Sequence, residues 1–340
     1  MKINNKFFFK EISIILGILF SLYCIFTIGL SYDQIFHIEN GERRLKYLFS
    51  LGQYDYYDIL HLRYYPGLYD TLASLVASIF PRGIYYESYY LINFLTGLAG
   101  LFGLKKVIRY FFGSSISKIF FVISIFSPLF FGHLSINPKD TIIATANFWI
   151  FYYIIKYLKN SSNQIREKIS IKIGLFIGLG AGVRIIFLGT LIPLILFMIF
   201  EIFFFKKFLK KLDIKSFLKH IIYVILISYI LIIFCWPNVH SNIFLSPFII
   251  FFQSLTDISQ GVQSSFFSGI FYETVNTPWY YILLNVFFKV PVIYLFCFFL
   301  AFFSLSKMKK NYKNDNFFYF IGVSLFILIL PILISILLNL

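Results

Sequence analysis

The chain has 340 residues, of which 59% are hydrophobic and 22% aromatic, and its mean hydropathy is +0.81. This composition excludes a soluble globular protein, and apolar runs of about twenty residues without alternation predict membrane-spanning helices rather than a β-barrel. The net charge of +15 does not indicate nucleic-acid binding, because the cations lie in short loops between apolar runs, as positive-inside topology requires. The three cysteines (Cys24, Cys235 and Cys297) lie in apolar runs and have no disulfide or metal-binding spacing.

The first segments of the chain set its predicted orientation. Three lysines precede an apolar run at 12–30, which is too long for a signal peptide and lacks a small-residue cleavage site. We therefore predict a retained span with a cytoplasmic N-terminus, and an external polar stretch at 31–66. The next apolar run, 68–80, is short for a span, and counting it as one would place Lys105 and Lys106 outside. We expect it to form a helix in the outer interface.

The rest of the chain alternates apolar runs with short loops. Further spans are predicted at 90–104, 116–131, 141–155, 173–183, 185–205, 221–236, 279–305 and 317–338. A second interfacial helix is predicted at 243–252, inside a long external segment at 237–278. The sequence thus predicts an all-α polytopic protein of the cytoplasmic membrane, with about nine transmembrane helices in a single domain over 1–340. We expect no soluble domain after the last span.

Polar residues on the predicted outer face fall in 31–66, 132–140 and 237–278. Asp33 lies just beyond the first span, at headgroup depth, where a partly desolvated carboxylate is a candidate general base; the alternative is a solvated loop aspartate. The external histidines, which include His37 and His133, have no zinc-site spacing and suggest binding or structural roles. Arg184 lies between two apolar runs, where a cation is costly unless it meets an anion.

Four short stretches together resemble one enzyme family. They are the acidic residue after the first span, the YPGLY stretch at 65–69, the FGHLSINPKD stretch at 131–140 and the PWYY stretch at 278–281. This pattern resembles the GT-C glycosyltransferases, and within them the family 39 type, which includes protein O-mannosyltransferases and the lipid A aminoarabinose transferase. The resemblance implies a GT-C-like fold that transfers a sugar from a polyprenyl-phosphate carrier to a glycolipid, polysaccharide or protein acceptor at the outer face.

The resemblance also implies site residues. Asp33 corresponds to the catalytic acid–base position, and Asp140 to the acidic residue of the second external loop. Relatives often have Asp-Glu where this chain has Asp33-Gln34, so Glu39 is the candidate replacement for the second carboxylate. The longer C-terminal portion of the relatives is not matched, and we expect acceptor recognition to be reduced or supplied by a partner.

The resulting hypothesis is an inverting transfer in which Asp33 deprotonates the acceptor while Lys139 and Arg184 hold the lipid phosphate. Donor or acceptor binding is assigned to Glu39, His37, Arg63, His133, Asn137 and Asp140. No cofactor is expected. Three alternatives stay open: a metal-dependent relative with a divalent ion between Asp33 and Asp140, a non-enzymatic flippase or transporter of lipid-linked sugars, and a structural membrane subunit. A transporter would carry its polar residues at mid-membrane on broken helices.

Overall fold

The computed structural model describes residues 5–57, 62–206, 213–256, 264–273, 276 and 278–311, together with short pieces between 322 and 333. The chain divides into two compact units, Met1–Leu188 with Phe208–Phe248, and Gly189–Lys207 with Ile249–Leu340. Every candidate site residue belongs to the first unit. The organisation of 1–340 as a single domain stays a prediction.

The helices follow one another with short connections. In chain order they are α1 (Asn5–Thr27), α2 (Tyr32–Phe49), α3 (Leu68–Ala77), α4 (Tyr85–Ile125), α5 (Pro128–Ile136), α6 (Asp140–Lys159), α7 (Asn163–Val183), α8 (Phe187–Thr190), α9 (Ile192–Phe200), α10 (Ile214–Phe234), α11 (Ser246–Thr256), α12 (Tyr281–Lys289) and α13 (Val292–Asn311). A π-helical turn, Glu201–Phe205, continues α9. One antiparallel hairpin, β1 (Ser264–Phe267) and β2 (Ile270–Glu273), pairs Ser264 with Glu273 and Phe267 with Ile270.

Stripes of small residues bring the helices of the first unit into close contact. On α4, a methyl group added at Gly97 would lie 2.7 Å from Thr141, and one added at Gly100 would lie 2.3 Å from Thr145 of α6. On α7, Gly178 meets Leu231 of α10 in the same way. Without such side chains the backbones approach closely, which is how helices associate in membranes.

These contacts also fix helix direction. Residue numbers rise together along the α4–α6 contact, where Gly97 meets Thr141 and Gly103 meets Trp149, so these helices run parallel. The α7–α10 pair runs parallel for the same reason. Because α6 and α7 are joined by the short connection 160–162, they are antiparallel, and α6 begins at the end of the bundle where α7 and α10 finish.

Helix α4 contains a reversal at Gly113, whose φ of 83° and ψ of 177° are non-helical. The rings of Phe102 and Phe121 have centroids 4.8 Å apart. Nineteen residues of straight helix would separate them by about 28 Å, so the two arms fold back on each other. Leu101, Phe121 and Ile125 bury a common core between these arms. The expected boundary between the second and third spans is therefore a tight turn.

The expected count of nine spans is not reached among the described residues. Four helical stretches are long and apolar enough to cross a membrane, namely Arg82–Ile125, Asp140–Lys159, Phe187–Phe205 and Ile214–Phe234. A fifth arises if Tyr281–Lys289 and Val292–Leu300, bent by 100° at the break formed by Val290 and Pro291, count as one span. The first predicted span lies in helix α1, of which the described apolar stretch Ile15–Thr27 is not among these four.

Physical reasons account for the other differences. The fifth predicted span, 173–183, is the apolar half of α7, whose other half carries Arg166, Glu167 and Lys168. The arm after Gly113 has only the length of a half-span. The ninth predicted span, 317–338, lies outside the described residues except for short pieces.

The predicted external loops also contain more regular structure than expected. Half of 31–66 is helix α2, and the short helix predicted at 68–80 is α3, which buries Tyr69, Asp70 and Ser74 on one face and exposes Leu72, Leu75 and Val76 on the other. In 237–278, α11 corresponds to the predicted short helix, and the hairpin is an addition to the all-α prediction.

Candidate functional site

The candidate site lies at the end of the first unit where α6 begins and where α7 and α10 finish. Asp33, Asp70 and Asp140 each lie in the first turn of their helix, α2, α3 and α6 respectively. Arg184 directly follows the last residue of α7. The free backbone N–H groups of a helix N-terminus favour a negative charge, so this end of the unit is suited to holding three carboxylates close to a cation.

Asp33 and Lys139 form an ion pair across this end. Lys139 Nζ donates to Asp33 Oδ2 at 3.0 Å, although 106 residues separate them. The Asp33 side chain is 60% exposed and that of Lys139 only 23%. The protein itself therefore leaves the Asp33 side chain exposed and pairs it with an ammonium group that is largely covered.

A turn at Asn137 positions Lys139 and Asp140. Asn137 Oδ1 accepts the backbone N–H groups of Lys139 at 3.1 Å and of Asp140 at 2.8 Å. Its Nδ2 donates to Asp140 Oδ2 and to His133 Nδ1, both at 2.9 Å. Because Nδ1 of His133 accepts, the ring carries its proton on Nε2. Asn137 thus ties together three residues that the sequence singled out.

The two cations assigned to phosphate binding both lie near the ring of Tyr65. Lys139 Nζ is 5.9 Å and Arg184 Cζ 5.5 Å from its centroid, both within cation–π range. His37 meets the same ring edge-on, with centroids 6.1 Å apart. Tyr65 therefore links Lys139, Arg184 and His37 into one group with Asp33.

His37 forms a buried pair with Asp70. Its Nδ1 lies 2.8 Å from Asp70 Oδ2, and the two residues are 5% and 6% exposed. An ionised carboxylate can only accept, so Nδ1 donates. The helices that carry the pair are in close contact: a methyl group added at Gly41 would lie 2.2 Å from Ser74 Oγ and 2.4 Å from the Asp70 carbonyl oxygen. The pair thus fixes α2 against α3.

Arg44 holds the loop that carries Tyr65. Its guanidinium is fully buried and donates to the backbone carbonyls of Tyr65 at 2.7 Å and Cys235 at 2.6 Å, and also to that of Pro66. Gly67 follows with a φ of +72°, and any Cβ there would lie 2.6 Å from Arg44 Cζ. Arg44 is therefore a structural residue that sets the position of Tyr65.

Two further polar side chains of this region, Tyr69 and Gln34, are buried. Burial raises the pKa of Tyr69, so its hydroxyl stays protonated and donates to Asn93 Oδ1 at 3.4 Å. Gln34 is 2% exposed, and its Oε1 has no hydrogen-bond partner among the described residues. A buried acceptor therefore directly follows Asp33 in the chain.

Two predicted site residues make other contacts. Glu39 accepts from Arg43 on its own helix and lies about 120° around α2 from Asp33, so it does not stand beside Asp33 as a second carboxylate. Arg63 is exposed, with its guanidinium 4.6 Å from the ring centroid of Tyr64. Neither contact involves Asp33 or Lys139.

Asp33 and Asp140 are the two carboxylates between which a metal-dependent relative would hold a divalent ion. Asp33 accepts from Lys139, and Asp140 from Asn137. Within the described part of the chain, no group of three or more His, Cys, Asp or Glu side chains is placed to hold a metal ion.

Sequence reasoning missed Tyr65 as the centre of the group, Asp70 as the partner of His37, and Arg44 as the loop anchor. A signal for Asp70 was present, because an acid inside an otherwise apolar run is costly unless it is paired. The acceptors of Arg44 are backbone carbonyls from distant segments and leave no mark in the sequence.

Comparison with protein-family models, with curated proteins and with solved structures finds no match to this chain.

Proposed function

We propose that this protein is a membrane glycosyltransferase that moves a sugar from a polyprenyl-phosphate carrier to a hydroxyl-bearing glycolipid, polysaccharide or protein. The observation that carries the proposal is the Asp33–Lys139 pair beside Tyr65 and Arg184, at one end of an apolar helical bundle. A carboxylate and two cations are the groups that such a transfer requires. Asp33, Tyr65 and Lys139 also belong to the stretches by which the sequence resembles the GT-C enzymes.

The chemical step uses one base. Asp33 takes the proton of the acceptor hydroxyl, the acceptor oxygen bonds to the anomeric carbon, and the bond from that carbon to the phosphate oxygen breaks. The polyprenyl phosphate leaves as a monoester with one more negative charge than it had in the donor. Attack from the face opposite the phosphate inverts the anomeric carbon. The leaving group needs no protonation, so a second carboxylic acid is not required.

Lys139 and Arg184 act on the phosphate. Cations that meet a charge developing in the transition state lower the barrier to its formation. Both reach Tyr65 from different elements, Lys139 from the turn before α6 and Arg184 from the end of α7. A phosphate beside Tyr65 draws Lys139 away from Asp33, which leaves the Asp33 carboxylate free to accept the proton.

The remaining groups bind the sugar. Asn137, Asp140 and His133 form one hydrogen-bonded set, and sugar hydroxyls are recognised by such donors and acceptors. His37 and Asp70 orient Tyr65 and need not touch the substrate.

The finer membrane arrangement belongs to the same proposal. A cytoplasmic N-terminus and a site on the outer face of the cytoplasmic membrane follow from the distribution of Lys and Arg. In the first unit, Lys105, Lys156 and Lys159 lie at the end opposite to Asp33, which agrees with this orientation.

The test follows both parts of the donor. Purified protein in proteoliposomes receives a panel of polyprenyl-phosphate sugars labelled in the sugar, together with a crude acceptor fraction, and free polyprenyl phosphate is quantified. The proposal predicts release of polyprenyl phosphate in step with sugar transfer. Donor that stays intact while crossing the bilayer would contradict it.

A lipid-linked sugar transporter is the second candidate, and one observation favours it. Helices α12 and α13 form a sharply bent apolar pair, with Lys289 next to the break at Val290 and Pro291. Broken helices with a polar residue at the break are typical of transport sites. Translocation without cleavage in the assay above would select this candidate, and loss of transfer with a chelator would select the metal-dependent relative.

A further inference from the structure

The end of the first unit opposite to Asp33 carries a second set of cations that the proposed transfer does not use. Three exposed lysines from three helices each hold the ammonium group over an aromatic ring: Lys106 over Trp149 at 4.9 Å, Lys156 over Tyr152 at 5.3 Å, and Lys172 over Tyr153 at 5.5 Å. We call these six residues the lysine–aromatic cluster.

The rings of the cluster form a fixed platform. Trp149 stacks on Phe176 of α7 with centroids 5.5 Å apart and planes 8° apart, and Tyr153 stacks on both of these rings at 5.6 and 5.9 Å. Trp149 Nε1 also donates to the carbonyl of Ala99 on α4 at 3.0 Å. Helices α4, α6 and α7 therefore all hold the surface on which the ammonium groups lie.

The three positive charges are not neutralised by the protein. No carboxylate among the described residues lies within ion-pair distance of Lys106, Lys156 or Lys172. Glu167, on the same helix as Lys172, pairs with Lys219 at 3.2 Å instead. Aromatic faces attract cations but carry no net charge, so the cluster still attracts an anion.

Next to the cluster, the protein surface changes from charged to apolar with increasing distance from this end of the unit. Trp149 and Tyr153 lie ten and six residues before the end of α6, or about 15 and 9 Å inside the bundle. Further from that end, the exposed side chains of Phe102, one turn before Lys106, and Leu175, one turn after Lys172, are apolar. An amphiphile with an anionic headgroup and apolar chains matches this order, whereas a soluble anion matches only the charged part.

We propose that the lysine–aromatic cluster binds the headgroup phosphate of an anionic phospholipid, whose acyl chains run along Phe102 and Leu175. The aliphatic parts of the lysine side chains carry the ammonium groups to the level of the lipid phosphate. The aromatic rings of the cluster lie at the boundary between the lipid headgroup and its acyl chains. This site lies apart from the proposed transfer site and does not depend on it.

The experiment compares lipid binding in two triple variants. Protein in detergent is titrated with a short-chain phosphatidylglycerol and, separately, with the matching phosphatidylcholine, and bound lipid is counted by native mass spectrometry. The test variant is K106Q/K156Q/K172Q. The control is K118Q/K168Q/K215Q, which removes equal charge from exposed lysines at the same end that have no aromatic platform.

The wild type is expected to bind one phosphatidylglycerol at least about tenfold more tightly than phosphatidylcholine, because each basic residue near an anionic lipid contributes on the order of 1 kcal/mol. The test variant should lose this preference, an Arg substitution of the same three lysines should keep it, and the control should stay within about twofold of the wild type. Equal losses in the two triple variants would overturn the site in favour of a general charge effect. Displacement of the lipid by an equal concentration of glycerol phosphate would show a site for free phosphate and would overturn the lipid assignment.

Discussion

His37 Nδ1 lies 2.8 Å from Asp70 Oδ2, and both residues are buried, although 33 residues separate them in the chain. Their helices, α2 and α3, both border the candidate site, with Asp33 on α2 and the Tyr65 loop leading into α3. The pair therefore connects the base to the residue around which the two cations gather. Its geometry is a property of the folded protein that can be tested without any substrate.

The first prediction concerns the energy of this pair. A double-mutant cycle of His37→Ala and Asp70→Ala should give a coupling free energy of about 1–3 kcal/mol, because each single change leaves a buried polar group unpaired. The control is the Glu39–Arg43 pair of α2, whose Glu39 is 44% exposed and which should couple by about 0.5 kcal/mol or less. Reversible unfolding in mixed micelles gives the free energies. Equal coupling in the two cycles would contradict the buried pair.

A second prediction concerns the close contact of α2 with α3. Gly41→Ala should destabilise the protein by about 1–3 kcal/mol, because the new methyl group would meet the backbone of Asp70 and one helix must shift. Gly132→Ala is the matched control in helix α5, where nothing lies within 4 Å of an added Cβ. That change should be neutral or stabilise slightly through helix propensity. The contact would be refuted by a similar loss at both positions.

A third prediction assigns the phosphate-binding cations. Arg184→Gln should raise the apparent KM for the polyprenyl-phosphate donor at least about tenfold, since a charge-assisted contact to phosphate is worth roughly 1.5–3 kcal/mol. Arg82→Gln is the control, because Arg82 is exposed before α4 and has no part in the proposed site. Initial rates at varied donor concentration give both constants. An unchanged donor KM in Arg184→Gln would remove that residue from the phosphate site.

A fourth prediction concerns the start of α10 and its dependence on pH. The Ser216 hydroxyl and backbone N–H donate to Asp213 and lower the pKa of its carboxyl. Because the pKa is lower in the folded state, the stabilisation is present above the ordinary carboxyl pKa of about 3.9 and is lost as the pH falls below it.

The corresponding variant is Asp213→Ala. Its thermal midpoint should lie below that of the wild type at pH 7, and the difference should shrink as the pH falls through 4 toward 2. Asp55→Ala, on an exposed segment with no hydrogen-bond donor to its carboxylate among the described residues, serves as the control. If the thermal midpoint of Asp213→Ala lay below that of the wild type by the same amount at every pH, the ionised Asp213 carboxylate would not be what stabilises the start of α10.

The sequence predicted the position of the candidate site better than it predicted the number of spans. Asp33, Lys139, Asp140 and Arg184 could be chosen because each lies where an apolar run meets a polar segment, and the ends of packed helices gather at one level. Helix α2 was not predicted within the polar stretch 31–66, because a helix with a buried polar face does not show the usual apolar stripe.

Other features could not be predicted because they depend on contacts between distant residues. Arg44 is anchored by carbonyls of 62–66 and of Cys235, and the return of α4 at Gly113 is established by the contact of Phe102 with Phe121. Span counting failed for a related reason: apolar runs of ten to fifteen residues pack equally well as half-helices within a bundle.

The most direct test of the proposed function is the rate of sugar transfer in proteoliposomes by wild type, Asp33→Asn and Asp55→Asn, each with and without a chelator. Asp33→Asn keeps the shape of the side chain but cannot accept the proton, so transfer should fall at least about a hundredfold, the lower range for a general base. Asp55→Asn should transfer at the wild-type rate, and the chelator should have no effect. Full transfer by Asp33→Asn would contradict the assignment of the base and, with it, the mechanism built on the Asp33–Lys139 pair.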